Sequence, residues 1–473
     1  MEAQTKKGGF SGSIGFVLAA AGSAVGLGNL WRFPTLANKY GGGLFLVVYL
    51  ILVLTFGFSL LITDIAIGRK TGKSSLDAFK LVHPKWGFLG KLTFLVPSII
   101  ITYYVVIGGW NLKYMVSSVT EFAKTSESGY FVNFITSKAS PIFWMLIFLA
   151  ITAFVVYCGV EKGIEKFSKY VMPALFVLIV GIVVFVLFAK DEQTGRTGVK
   201  GFLAYITPNL NDLKTDGSVD VAKIMNLLLD AMSQLFFSLS VAMGIMITYG
   251  SYVKKDINLG KSVKQIEIFD TLVAFLAGMI VIPAVYTFSS LGAISKSGPG
   301  VIFQVLPNVF KEMGFAGRIV GPVFFIMVAF AALTSSVSIM EAIVGACSET
   351  FKANRKKVSL VITALAAAAA VVVCLGYNVL SFGVALPTGA TGQNLLDVLD
   401  YVSNNLLMPI ISLLTCILIG WVVKPTWVTD EIESSGHKFK QKTLYTVMIK
   451  YIAPVLMLLL LMQSFGVFNF LSK

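Results

Sequence analysis

The sequence predicts an all-α membrane protein of about eleven transmembrane helices. Of its 473 residues, 56% are hydrophobic and only 13% charged, about half the charged share of an ordinary soluble protein. The mean hydropathy is +0.82. Its apolar runs are about 20 residues long, the length of a membrane-crossing helix, rather than the short alternating runs of a membrane β-barrel. The first of those runs is also interrupted in a way that a lipid-facing helix could not tolerate.

That interruption is Gly22-Ser23-Ala24-Val25-Gly26-Leu27-Gly28-Asn29-Leu30-Trp31-Arg32-Phe33-Pro34, inside a first span of about 13–37. A mid-helix glycine costs about 1 kcal/mol against alanine, and Pro34 has no amide hydrogen to give. Arg32 at mid-bilayer would cost about 2.5–3.5 kcal/mol on insertion scales. Broken backbone at membrane depth is tolerated where it is buried in protein or lines a cavity, and its carbonyls and amides are then available to ions or a polar ligand. Gly22 and Gly26 alone also fit the small-xxx-small spacing of a helix-packing face; Asn29 and Arg32 favour a binding site.

The remaining spans are expected at about 43–67, 88–118, 141–158, 167–189, 222–252, 261–291, 317–348, 357–376, 395–423 and 443–470, with a short helix opened by Pro299 at about 299–313. The polar stretches at about 190–220 and 424–442 read only as loops. The run after Lys6 and Lys7 imitates a signal peptide, but it continues past Ala19-Ala20-Ala21 and is kept as the first span.

The net charge of +14 belongs to topology rather than to nucleic acid. Basic residues crowd the even-numbered connections, such as Arg69, Lys70 and Lys73 after the second span and Lys254, Lys255, Lys261 and Lys264 after the sixth. These loops and the N-terminus are therefore expected in the cytoplasm of a cell-membrane protein, with the C-terminus outside. Four cysteines without paired spacing read as buried thiols, and two histidines are too few for a histidine metal centre.

The sixth span holds a second interruption, Phe236-Phe237-Ser238-Leu239-Ser240-Val241-Ala242-Met243-Gly244, preceded by Asp230 and Gln234. Two broken helices in corresponding positions point to an inverted-repeat transporter. The repeats would be 13–189 and 221–423, with a gate segment at 1–12, an outer loop at 190–220, an inner loop at 424–442 and an added helix at 443–473. In the eighth span, Thr334, Ser335, Ser336 and Ser338 could satisfy their hydroxyls on their own helix or serve a hard cation such as sodium. Tyr103 and Tyr104 read either as packing aromatics or as substrate contacts, and Asp270 either as a helix-end charge or as a buried ion ligand.

The motifs together resemble the neurotransmitter:sodium symporter family, in particular its bacterial members that carry hydrophobic amino acids such as leucine. The resemblance rests on Ala20 through Pro34, Asn38-Lys39-Tyr40-Gly41-Gly42-Gly43, Gly68-Arg69, Tyr103-Tyr104, Gln234 through Ser240, and Leu333-Thr334-Ser335-Ser336, in the family's order. It implies two inverted five-helix repeats, with the first and sixth helices unwound at mid-membrane. It also implies two sodium sites: one from Ala24, Asn29, Ser238 and Asp270 with the substrate carboxylate, the other from Gly22, Val25, Ala331, Thr334 and Ser335. The substrate would contact Ala24, Gly26, Ile100, Tyr104, Phe237, Ser240, Met243, Ser335 and Ile339, with Ser238 close by and its carboxylate on the Leu27 and Gly28 amides. The outer gate would pair Arg32 with Asp400, and the inner gate Lys7 with Glu349, packed by Phe10.

Some positions depart from the family pattern. Lys7 stands where arginine is usual and loses the bidentate fork; Ala242 replaces a common glycine. Asp270 stands where many members have asparagine, and its permanent charge suggests independence from chloride. Gly163 and Pro173 match a spacing that some bacterial members associate with a water path to the inner sodium site. The expected function is sodium-coupled import of a neutral, hydrophobic or aromatic L-amino acid, with the lipid bilayer, sodium and substrate as partners and no nucleic acid. A channel and an amino-acid sensor that moves nothing are the rivals; no nucleophile–base pair or metal-ligand spacing supports an enzyme.

Overall fold

The computed structural model describes residues 9–215, 218–295 and 300–468. Among these, nine helices are long and apolar enough to cross a membrane, and a pair bent by 58° makes a tenth. That bent pair is the first span, Ser13–Ala24 and Leu27–Lys39. The second to fifth spans are Gly43–Thr71, Pro84–Thr120, Ser140–Tyr157 and Val160–Phe188. The sixth is divided into Val221–Ser238 and Ile245–Gly250. The seventh to eleventh are Leu259–Phe288, Gly317–Thr350, Arg355–Leu375, Leu395–Val422 and Lys442–Ser464.

Burial ranks the spans. The eighth has 83% of its apolar window inside the protein, whereas the ninth has 28%. The eighth and third spans pack along one another at the centre. Glycine permits the closest helix approaches: a Cβ on Gly109 would fall 2.5 Å from the Met145 amide, and one on Gly68 1.9 Å from the Ile247 carbonyl. Without a hydrophobic drive between helices in lipid, such close backbone packing supplies much of the association.

The stretches read only as loops contain helices. Gly198–Ile206 sits on the seventh span, with Gly201 against Pro283, and Thr426–Glu433 carries Glu431 to Arg69. Both are too short and too mixed in polarity to stand out beside runs of about 20 apolar residues. The short helix between the seventh and eighth spans runs Val301–Glu312 in two pieces; Pro299 lies outside the described residues. Wide turns at Val53–Gly57, Tyr401–Leu407 and Leu418–Val422 shift the helical register within spans that read as uniform.

Candidate functional site

Both interruptions lie at the centre of the bundle. The first helix stops at Ala24, and Val25 and Gly26 are extended before Leu27 and Gly28 open a short helix. The sixth stops at Ser238, and its backbone turns left-handed at Ser240 (φ +53°), Ala242 (φ +61°) and Gly244 (φ +72°). Left-handed backbone costs an L-residue roughly 1–2 kcal/mol, so Ala242 is held from outside. The holder is Asp64 of the second span, buried, whose Oδ2 accepts the Ala242 amide at 3.0 Å. The backbone shape expected of glycine is thus kept with alanine in place.

Hydroxyls take up the freed carbonyls. Ser335 Oγ lies 3.1 Å from the Ser23 carbonyl, 3.2 Å from that of Val25 and 3.4 Å from that of Gly22. Ser240 donates to the Ser23 carbonyl at 3.1 Å. Thr334, next to Gly22, donates to Ala331 and Phe330 of its own helix at 3.0 and 3.1 Å. Gly22, Val25, Ala331, Thr334 and Ser335 therefore form one oxygen-rich nest, the donor chemistry a hard monovalent cation requires.

About Asp270 a second nest forms. This carboxylate is buried and accepts Ser238 Oγ at 2.7 and 2.9 Å and Asn29 Nδ2 at 2.8 Å. Ser238 Oγ also lies 3.3 Å from Asn29 Oδ1. Asp270 is therefore part of an interior oxygen cluster rather than a charge at a helix end. Tyr103 and Tyr104 separate in role. Tyr103 meets Asn404 and Ser403 of the tenth span at 3.1 and 3.3 Å, while Tyr104 faces inward with its buried hydroxyl unpartnered.

Between the two nests is a cavity of about 20 Å³, room for roughly one water. It is lined by Ala24, Gly26, Ile100, Tyr104, Phe237, Ser240, Met243, Ser335 and Ile339, together with Ser23 and Asn29. A Cβ on Gly26 would sit 2.8 Å from Ser335 Oγ and 3.3 Å from Tyr104 Oη, and one on Gly28 would meet the Phe237 ring at 2.4 Å. Phe237 thus lies on the start of the short helix, where the Leu27 and Gly28 amides are.

The two sides of this cavity differ. On one side, Phe10 is fully buried against Phe16, Tyr249 and Tyr252, with ring centroids 5.5–6.2 Å apart. Ser11 is tied to Glu165, and Lys254 donates to the Ser11 carbonyl at 3.1 Å. Lys7 lies outside the described residues; Glu349 pairs with Lys73 at 2.9 Å and accepts Ser74 Oγ at 2.8 Å. Its own hydrogen bond to Glu349 raises the Lys73 ammonium above its ordinary pKa. The fifth span continues through Pro173 as helix, with Gly163 in a wide turn at Val160–Glu165.

On the other side, a polar cavity of about 360 Å³ reaches Phe236, lined by Arg32, Lys39, Asp230, Ser233, Asn404 and neighbours. Arg32 and Asp400 form no direct ion pair. Arg32 donates to Ser233 at 2.7 Å and Asp400 accepts from Asn404, one turn along its own helix, at 2.6 Å. Each charge is satisfied on its own wall while the vestibule stands between. Phe10 and its neighbours pack one side of the central pocket closed, and a polar vestibule lies on the other, with Phe237 against Gly28 between vestibule and pocket.

Sequence reading missed Asp64 and Glu341. Glu341 is fully buried and binds Arg355 and the Tyr252 hydroxyl. The signal was available, because each is a lone acid in an apolar run, and an ionisable residue within a span is functional by default.

The model of the sodium:neurotransmitter symporter family matches residues 7–133 and 131–472. An uncharacterised sodium-dependent transporter of Bacillus subtilis is 31% identical, covering 98% of each chain. One from Methanocaldococcus jannaschii is 31% identical over 94% of this chain and 87% of its own. The sodium- and chloride-dependent GABA transporter 2 of Rattus norvegicus is 25% identical over 89% and 74%. The crystal structure of MhsT in complex with L-phenylalanine superposes with a TM-score of 0.83 at 31% identity, covering 97% of this chain and all of that one. This protein belongs to the sodium:neurotransmitter symporter family, a family of transporters rather than enzymes, and is a multi-pass sodium-dependent symporter.

Proposed function

We propose that this protein imports a neutral, hydrophobic or aromatic L-amino acid with sodium, by alternating access and without chloride. The lining of the central cavity carries the reading. Ile100, Phe237, Met243 and Ile339 form an apolar wall, and the one unpartnered hydroxyl there, on Tyr104, sits beside the amino end of a short helix. An apolar side chain would lie on that wall, where methionine adapts its shape, while the carboxylate meets Tyr104 and the Leu27 and Gly28 amides. That MhsT was crystallised with L-phenylalanine supports the same substrate class.

Sodium enters this reading as cargo at two places. One ion would sit among Ala24, Asn29, Ser238, Asp270 and the substrate carboxylate. A second would sit among Gly22, Val25, Ala331, Thr334 and Ser335. Asp270 supplies the negative charge that offsets them, which supports transport without chloride. Even-numbered loops face the cytoplasm, so the vestibule opens outward. Substrate entry requires Phe237 to move from Gly28, since the cavity of about 20 Å³ is far smaller than an amino acid. Arg32 and Asp400 would then approach and close the vestibule, and opening the Phe10 and Ser11–Glu165 contacts would release cargo inward.

A competition screen of unlabelled amino acids against radiolabelled L-phenylalanine on purified protein tests the substrate class. Leucine, phenylalanine, tryptophan or their like should compete. Competition by glutamate or lysine alone would contradict the reading.

A further inference from the structure

A second cavity, about 620 Å³ in volume, lies on the membrane face between the second and seventh spans. Most of its wall is apolar, with Leu46, Leu50 and Leu54 on one side and Ile268, Leu272 and Phe275 on the other. From Lys264 to Phe275 it follows the seventh helix for roughly 16 Å, about half the thickness of a bilayer core. With the sixth connection cytoplasmic, its Lys264 end lies at the inner interface.

That end is polar in a particular way. Glu267 is 2% exposed, lines the groove, and its Oε1 has no hydrogen-bond partner. Thr271 Oγ1, of the same groove, is also buried and unpartnered. Lys264, one turn before Glu267, lines the same mouth and is exposed. A buried carboxylate oxygen without a donor is costly at membrane depth, and a ligand that brings a donor would relieve it.

We propose that this groove is a binding site for an inner-leaflet phospholipid with a primary ammonium headgroup, phosphatidylethanolamine. The ammonium donates to Glu267, the neighbouring phosphate meets Lys264, and one acyl chain fills the leucine-lined wall. A quaternary ammonium has no N–H to give to Glu267, and an anionic headgroup would place negative charge beside it. The charge pair at the mouth thus matches a zwitterion with a hydrogen-bonding cation.

Native mass spectrometry of the purified full-length protein, with phosphatidylethanolamine, phosphatidylcholine and phosphatidylglycerol of matched chains, tests this. The ethanolamine lipid should be retained about tenfold more strongly than the choline lipid, and Glu267→Met should abolish that preference. Leu272→Trp, which fills the groove but leaves the carboxylate, should abolish retention of the lipid in a protein whose headgroup site is intact. Equal retention of the three lipids overturns the proposal, as does stronger retention of phosphatidylglycerol or a preference unchanged in both variants. The last result would mean that the lipid is selected elsewhere on the protein, not at Glu267.

Discussion

Asp270 of the seventh span accepts Ser238 of the sixth at 2.7 and 2.9 Å and Asn29 of the first at 2.8 Å, so one buried carboxylate joins both broken helices. A cation placed among these oxygens would be neutralised locally, without an added anion. Asp270→Asn keeps the size and an oxygen while deleting the charge. Uptake in proteoliposomes should fall to a small fraction of wild type in gluconate and recover in part with chloride. Wild-type uptake should be the same in both salts, and its collapse in gluconate would remove Asp270 from the role of built-in anion.

Ser335 touches three carbonyls of the first span, whereas Thr334 bonds only within its own helix in the structure. Replacing both by alanine removes two oxygens from a site where lost ligands are expensive. Sodium-dependent substrate binding should weaken at least about tenfold, with the protein still folded. Unchanged sodium affinity in the double variant would take this nest out of the ion path.

The Tyr104 hydroxyl is buried, unpartnered and beside Gly26. Tyr104→Phe should weaken substrate binding by about ten- to a hundredfold, the value of a hydrogen bond to a charged group. An unchanged dissociation constant would leave the residue as packing only.

Ala242 keeps φ at +61° while Asp64 accepts its amide. Ala242→Gly should raise thermal stability slightly, by up to about 1 kcal/mol. Asp64→Ala should lower it by about 1–3 kcal/mol, because a buried amide loses its acceptor. Thermal unfolding in mild detergent reads both. Equal melting of Asp64→Ala and wild type would mean that the unwound segment holds itself.

Much of this arrangement is legible in the residues. Glycines and Pro34 in an apolar run mark the first break, and the Ser238-to-Gly244 stretch marks the second, because regular helix is costly for both. Residues expected at the pocket line one cavity because the breaks touch each other, Ser240 on Ser23, beside Ser335 of the eighth span. What stays hidden depends on packing between distant segments. Asp64 and Ala242 are 178 positions apart, and nothing local says which amide the acid will hold. The expected Arg32–Asp400 pair is not formed, and Ser233 and Asn404 take its two members. The wide turns in the tenth span displace its register without any proline or glycine inside Tyr401–Leu407 to announce it.

In the proposed cycle a sodium gradient drives a hydrophobic amino acid through the pocket between Tyr104 and Phe237. The direct measurement is uptake of radiolabelled L-phenylalanine and L-leucine into proteoliposomes, with sodium or potassium outside and potassium inside. At least one of the two should accumulate above its external concentration with sodium outside, and only equilibrate when potassium replaces it. Accumulation independent of sodium, or none of either amino acid while binding persists, would contradict the account.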